Sequence, residues 1–62
     1  MRYEDNLFLY VLESPYDTLY YIYVYYLPNH FFTFYRVGRI NSYDEFKNKC
    51  DELRKNELEK IL

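Results

Sequence analysis

Apolar positions group into three short blocks of strand character and one longer block of helical character. "LFLYVL", Leu7 to Leu12, is a continuous apolar run rich in strand formers, and "ESPYDT", Glu13 to Thr18, reads as a turn through its Ser-Pro and Asp-Thr pairs. "LYYIYVYYL", Leu19 to Leu27, is a second strand with five tyrosines in nine residues and no charge. It stops at the turn signal Pro28-Asn29, and "HFFTFYRVGRI", His30 to Ile40, returns as a third strand with Gly38 near its end. From Ser42 the period changes. In "SYDEF" the Ser42 hydroxyl is placed to accept from the amide three residues on, and Glu45 to reach back to the Ser42 amide, while Asp44 and Glu45 favour the positive end of a helix dipole. The spacing predicts a helix from Tyr43 to Ile61. Phe46, Cys50, Leu53 and Ile61 fall on one stripe with Tyr43 beside it, and Glu57 falls on that stripe too, which places the last turns beyond the edge of the sheet. Leu58 and Leu62 form a second small patch, read as a dimer contact. The expected fold class is α+β: a single domain, residues 1–62, built as a three-stranded antiparallel β-meander followed by one C-terminal α-helix.

Alternation sends successive strand residues to opposite faces. Pairing Leu12 with Leu19 across the first turn puts Leu7, Leu9, Val11, Tyr20, Ile22 and Val24 on one face, an aliphatic surface for the helix stripe. The other face then receives Phe8, Tyr10, Tyr21, Tyr23 and Tyr25, and pairing Leu27 with His30 adds Phe32, Phe34 and Arg36. One helix covers one face, so an aromatic face is left over.

Composition narrows what can cover it. The chain has 62 residues, too few for a large core. Cys50 is the only cysteine and His30 the only histidine, so neither an internal disulfide nor a zinc site is expected, and association remains as the route to stability. The N-terminal apolar run is too short for a signal peptide or a membrane span, and the expected location is the cytoplasm with Cys50 reduced. Fifteen aromatics and 50% apolar residues exclude a disordered tail. The net charge of −2 argues against a nucleic-acid binder, and the front half is acidic: residues 1–35 hold Glu4, Asp5, Glu13 and Asp17 against Arg2 alone.

Three uses of the aromatic face compete. It packs a homodimer, or leaves tyrosine rings half-buried with wet hydroxyls; it binds a different protein, for which tyrosine supplies much contact area at low entropic cost; or it stacks the bases of a single strand, for which Arg36 is the only cation on it. Catalysis is not expected. Cys50 on the apolar stripe reads as a buried structural thiol, His30 as a loop residue, and Gly38, the only glycine, makes no phosphate loop. No cofactor and no metal are implied.

The order of three strands and a helix, "YYIY" in the second strand, Phe32 twelve residues after its first tyrosine, Gly38 closing the third strand, "SYDEF" and the final "LEKIL" resemble the small uracil-DNA glycosylase inhibitor family of short-tailed Bacillus phages. The resemblance spans residues 20–62. It implies a phage protein that acts as a homodimer in the host cytoplasm, imitates DNA, and occupies the DNA-binding groove of the host glycosylase, taking an apolar side chain of the enzyme into a pocket. Partner-binding positions on this reading are Tyr21, Tyr23, Tyr25, Phe32, Phe34 and Tyr35, with Leu58 and Leu62 at the dimer contact. Where the family carries acids that mimic phosphates, this chain has Ile22 and Thr33; Glu13, Asp17, Asp44 and Glu45 are the acids left for that role.

Overall fold

The structure, a computed structural model, describes residues 1–61. Four strands, β1 (Arg2–Glu4), β2 (Phe8–Tyr16), β3 (Leu19–Tyr26) and β4 (Phe32–Val37), form one antiparallel sheet in the order β1-β2-β3-β4, and α1 (Tyr43–Ile61) follows. The architecture is α+β with a C-terminal helix, as expected, but the sheet has one strand more than the meander read from the sequence. β1 forms because Asp5 turns the chain. One carboxylate oxygen accepts from the amides of Leu7 at 2.8 Å and Phe8 at 2.7 Å, an Asx-type turn that folds Tyr3 against Tyr10.

The β2–β3 connection departs from expectation, and with it a whole strand face. Instead of a six-residue turn, β2 runs through Ser14 and Pro15 to Tyr16, and Asp17 and Thr18 alone make the bend. A register irregularity between Glu13 and Tyr16 absorbs the proline. Pro15 lies beyond the end of β1, where β2 has no second neighbour and its missing N–H costs no ladder bond. Leu12 therefore faces Ile22 rather than Leu19, a slide of three residues. An odd slide exchanges the faces of β2. Phe8 and Tyr10, expected on the open face, are buried at 1% and 0% exposure, while Leu9 and Val11, expected in the core, turn to the other side.

The β3–β4 hairpin keeps the expected register. Tyr25 faces Phe32 and Tyr23 faces Phe34, and His30 closes the turn with a φ of 62°. The core is accordingly Phe8, Tyr10, Ile22 and Val24 from the sheet with Phe46, Cys50 and Leu53 from the helix. The Tyr10 hydroxyl donates to Asp5 at 3.3 Å, and Arg54 donates to the same carboxylate at 2.9 Å. This ties the β1–β2 turn to the middle of α1.

The helix begins as its cap predicts, with Ser42 Oγ accepting from the Glu45 amide at 3.2 Å. The Glu45 carboxylate accepts from Asn41 at 3.0 Å, one residue before the amide the capping box would use. The apolar stripe is buried over Phe46, Cys50 and Leu53, while Ile61 is 47% exposed. Glu57 does not lie past the sheet. Its carboxylate accepts from the Tyr35 hydroxyl, and Lys60 Nζ donates to the same hydroxyl at 3.1 Å. Leu58 packs against the core, so it is no free dimer patch on its own; Leu62 lies outside the described residues.

Candidate functional site

The sheet face opposite the helix is a ruled surface of side chains whose rows follow from the two registers. Glu4, Leu9, Tyr25 and Phe32 make one row across β1 to β4; Arg2, Val11, Tyr23 and Phe34 make the next; Glu13, Tyr21 and Arg36 make the third. The aromatic members contact one another. Ring centroids of Tyr25 and Phe32 are 5.5 Å apart, those of Tyr23 and Phe34 5.5 Å, and Tyr21 meets Phe34 edge-on at 5.8 Å, all within the range of favourable aromatic pairs. Pairing of this kind orders the rings without hiding them. Phe32 and Phe34 remain 58% and 55% exposed.

Among the described residues, no element covers this face. β-branched and aromatic residues built it for strand propensity on both sides, yet α1 occupies only the side of Phe8, Tyr10, Ile22 and Val24. Glu13, Pro15, Tyr21, Tyr23 and Tyr25 line an open depression of about 280 Å³ at one end. Pro15 is one wall of it because β2 extends past the point where the sequence suggested a turn.

Of the residues expected to bind a partner, the structure brings together Tyr21, Tyr23, Tyr25, Phe32 and Phe34. Tyr35 is separated from them. It pairs with Ile22 on the helix side, where burial, then the bond to Glu57, raise its pKa above the usual tyrosine value. Among the four acids considered as phosphate mimics, Glu13 alone stands on the aromatic face. Asp17 sits at the tip of the β2–β3 hairpin and shares a hollow with Arg36 and Arg39. Asp44 and Glu45 belong to the first turn of α1, Glu45 being engaged in the cap. The sequence reading missed Leu9, Val11, Arg2 and Glu4. The available signal was Asp5-Asn6, a turn pair that would have revealed β1 and placed two charges at the border of the face.

Charge on the face is balanced, with Glu4 and Glu13 against Arg2 and Arg36 at its margins and uncharged residues between them. Cys50 lies on the other side of the sheet, fully buried, and burial pushes its thiol up to about 12. At neutral pH such a thiol is protonated. Among the described residues no group of histidine, cysteine, aspartate and glutamate has the geometry of a metal site, and no helix is long and apolar enough to cross a membrane. Comparison of the chain with protein-family models, with curated proteins and with solved structures finds no match.

Proposed function

We propose that this protein is a non-enzymatic binding module that docks the aromatic sheet face onto another protein as a homodimer, and that its target is a uracil-DNA glycosylase whose DNA-binding groove it blocks. The observation that supports docking is the exposure of Phe32 and Phe34 along the β4 side of a face otherwise made of Leu9, Val11, Tyr21, Tyr23 and Tyr25. A contiguous apolar surface bordered by charges is the composition of an interface centre and rim. The choice of target rests on the sequence resemblance and on one physical complement. An enzyme that flips bases inserts an apolar side chain into the base stack. The open depression beside Tyr21, Tyr23 and Tyr25 offers such a side chain aromatic walls.

The test is uracil excision by a bacterial uracil-DNA glycosylase with this protein added. Excision is expected to stop, and Phe32→Ala is expected to weaken the inhibition by about 2 kcal/mol, roughly 30-fold, whereas Lys47→Ala on the helix leaves it unchanged. Full activity at large excess of folded protein overturns the choice of target. The alternative use of the face, as a stacking platform for single-stranded DNA, is decided by direct titration: tight, salt-sensitive binding of DNA to this protein would favour it.

A further inference from the structure

We propose that β4 is the dimerisation edge: two copies join their β4 strands antiparallel about a two-fold axis through Phe34, making one continuous eight-stranded sheet. This deepens the homodimer of the reading above by naming its surface, and it holds whatever the target of the aromatic face.

The argument begins with where the backbone of β4 points. The Tyr26 amide donates to the Phe31 carbonyl at 2.8 Å, so in the β3–β4 register this is a hydrogen-bonded position. Such positions recur every second residue. Thr33, Tyr35 and Val37 therefore turn their N–H and C=O groups towards β3, and Phe32, Phe34 and Arg36 turn theirs away from it. The Leu27 amide, which donates to the Leu7 carbonyl at 2.8 Å, gives the same phase from the β2 side: Tyr21, Tyr23 and Tyr25 are directed to β2, leaving Ile22 and Val24 for β4. The two observations agree. Three consecutive outward-facing positions on β4 thus lack a backbone partner within the sheet.

The two edges of the sheet differ. β1 is three residues long, and its two outward-facing positions carry Arg2 and Glu4; it is short and charged, as strand edges that avoid pairing are. β4 is six residues, "FTFYRV", with no proline, no lysine and no bulge. Its one charge, Arg36, stands at the end of the three outward positions, and the two before it are Phe32 and Phe34.

The occupant that fits is a second copy, because the outward positions are symmetric about Phe34. An antiparallel pairing centred there sets Phe34 opposite Phe34 of the second copy, and Phe32 opposite Arg36 of the second copy, twice. All of these are hydrogen-bonding positions, so every free backbone group at the three residues finds a partner. All three side chains also lie on the aromatic face. Each Arg36 guanidinium is thereby placed beside a Phe32 ring, a cation–π pairing, and the two aromatic faces become one surface. On the helix side Thr33 comes opposite Tyr35, a small residue against one already fixed by Glu57 and Lys60.

Backbone amide hydrogen exchange of the protein alone, without any target, tests this directly. The amides of Thr33, Tyr35 and Val37 are protected in the monomer; those of Phe32, Phe34 and Arg36 become protected only through the second copy. Protection of the latter three, rising with protein concentration, is expected. Fast exchange at these three amides in a protein that sedimentation shows to be dimeric overturns the proposal, and so does a protein that stays monomeric at high micromolar concentration, including one that accepts a β-strand only from another partner. Arg36→Pro provides the second arm. It removes an outward N–H that no strand of the same copy uses, so the fold is kept, while the dimer dissociation constant is expected to rise roughly 100-fold. A folded Arg36→Pro protein that dimerises as well as the parent excludes the β4 edge.

Discussion

At the scale of single residues, neighbours in sequence have unlike roles. Phe8 and Leu9 are adjacent in β2, both large and apolar, yet Phe8 is 1% exposed in the core while Leu9 shares the open face with Tyr25. Removing a buried aromatic ring leaves a cavity that a core of seven residues cannot close. Phe8→Ala is expected to cost about 3–5 kcal/mol, whereas Leu9→Ala is expected to cost about 1 kcal/mol or less. Denaturant titration of the two variants distinguishes them, and the opposite ranking would mean that β2 is in the register its sequence first suggests. Composition alone is silent on this choice, because both faces of β2 read as apolar. It is decided by a bulge at Pro15 that lets a two-residue turn replace a six-residue one.

At the scale of elements, what was legible was whatever had a local cause. The helix bounds followed from Ser42 and the Phe46, Cys50, Leu53 period, and the β3–β4 register followed from Pro28-Asn29. β1 was not legible in this way, because three residues carry no periodicity and its pairing depends on the Asp5 carboxylate. The same dependence gives it a pH signature. Burial pushes the Asp5 carboxyl up, but the Leu7 and Phe8 amides and the Arg54 guanidinium outweigh it and hold the pKa below the ordinary 3.8. A carboxyl depressed in the folded state binds its proton more readily when unfolded. Its stabilisation is therefore complete above about pH 5 and is lost as pH falls through the folded value. Asp5→Asn is expected to destabilise the protein by about 2 kcal/mol at pH 7, with the difference from the parent shrinking below pH 3. A thermal-melt series from pH 2 to 7 checks it; a difference independent of pH would show that the charge on Asp5 does not hold β1 and α1 together. The candidate site followed the same division. Tyr21, Tyr23, Tyr25, Phe32 and Phe34 were legible because the β3–β4 turn was local, while Leu9 and Val11 were hidden by the β2 slide and Tyr35 was separated from the others by simple alternation.

At the scale of the whole molecule, the protein is a sheet with one covered and one open face, and the open face is apolar at its centre with two acids and two arginines at its margins. Affinity for a partner is then set by apolar burial rather than by an array of acids. Binding to the proposed glycosylase target is accordingly expected to weaken less than tenfold between 50 and 200 mM salt, where proteins that contact many phosphates lose roughly 10³-fold or more; a steep salt slope, measured by calorimetry, would return the weight to Glu13, Asp17, Asp44 and Glu45. The central claim is that the aromatic sheet face is the docking surface, and cross-saturation by nuclear magnetic resonance tests it most directly. With deuterated protein bound to protonated glycosylase, signal loss is predicted along Leu9, Val11, Tyr21, Tyr23, Tyr25, Phe32 and Phe34 and not along α1. Loss concentrated on the helix, at Lys47, Asp51 and Arg54, with the sheet face untouched, would contradict the account.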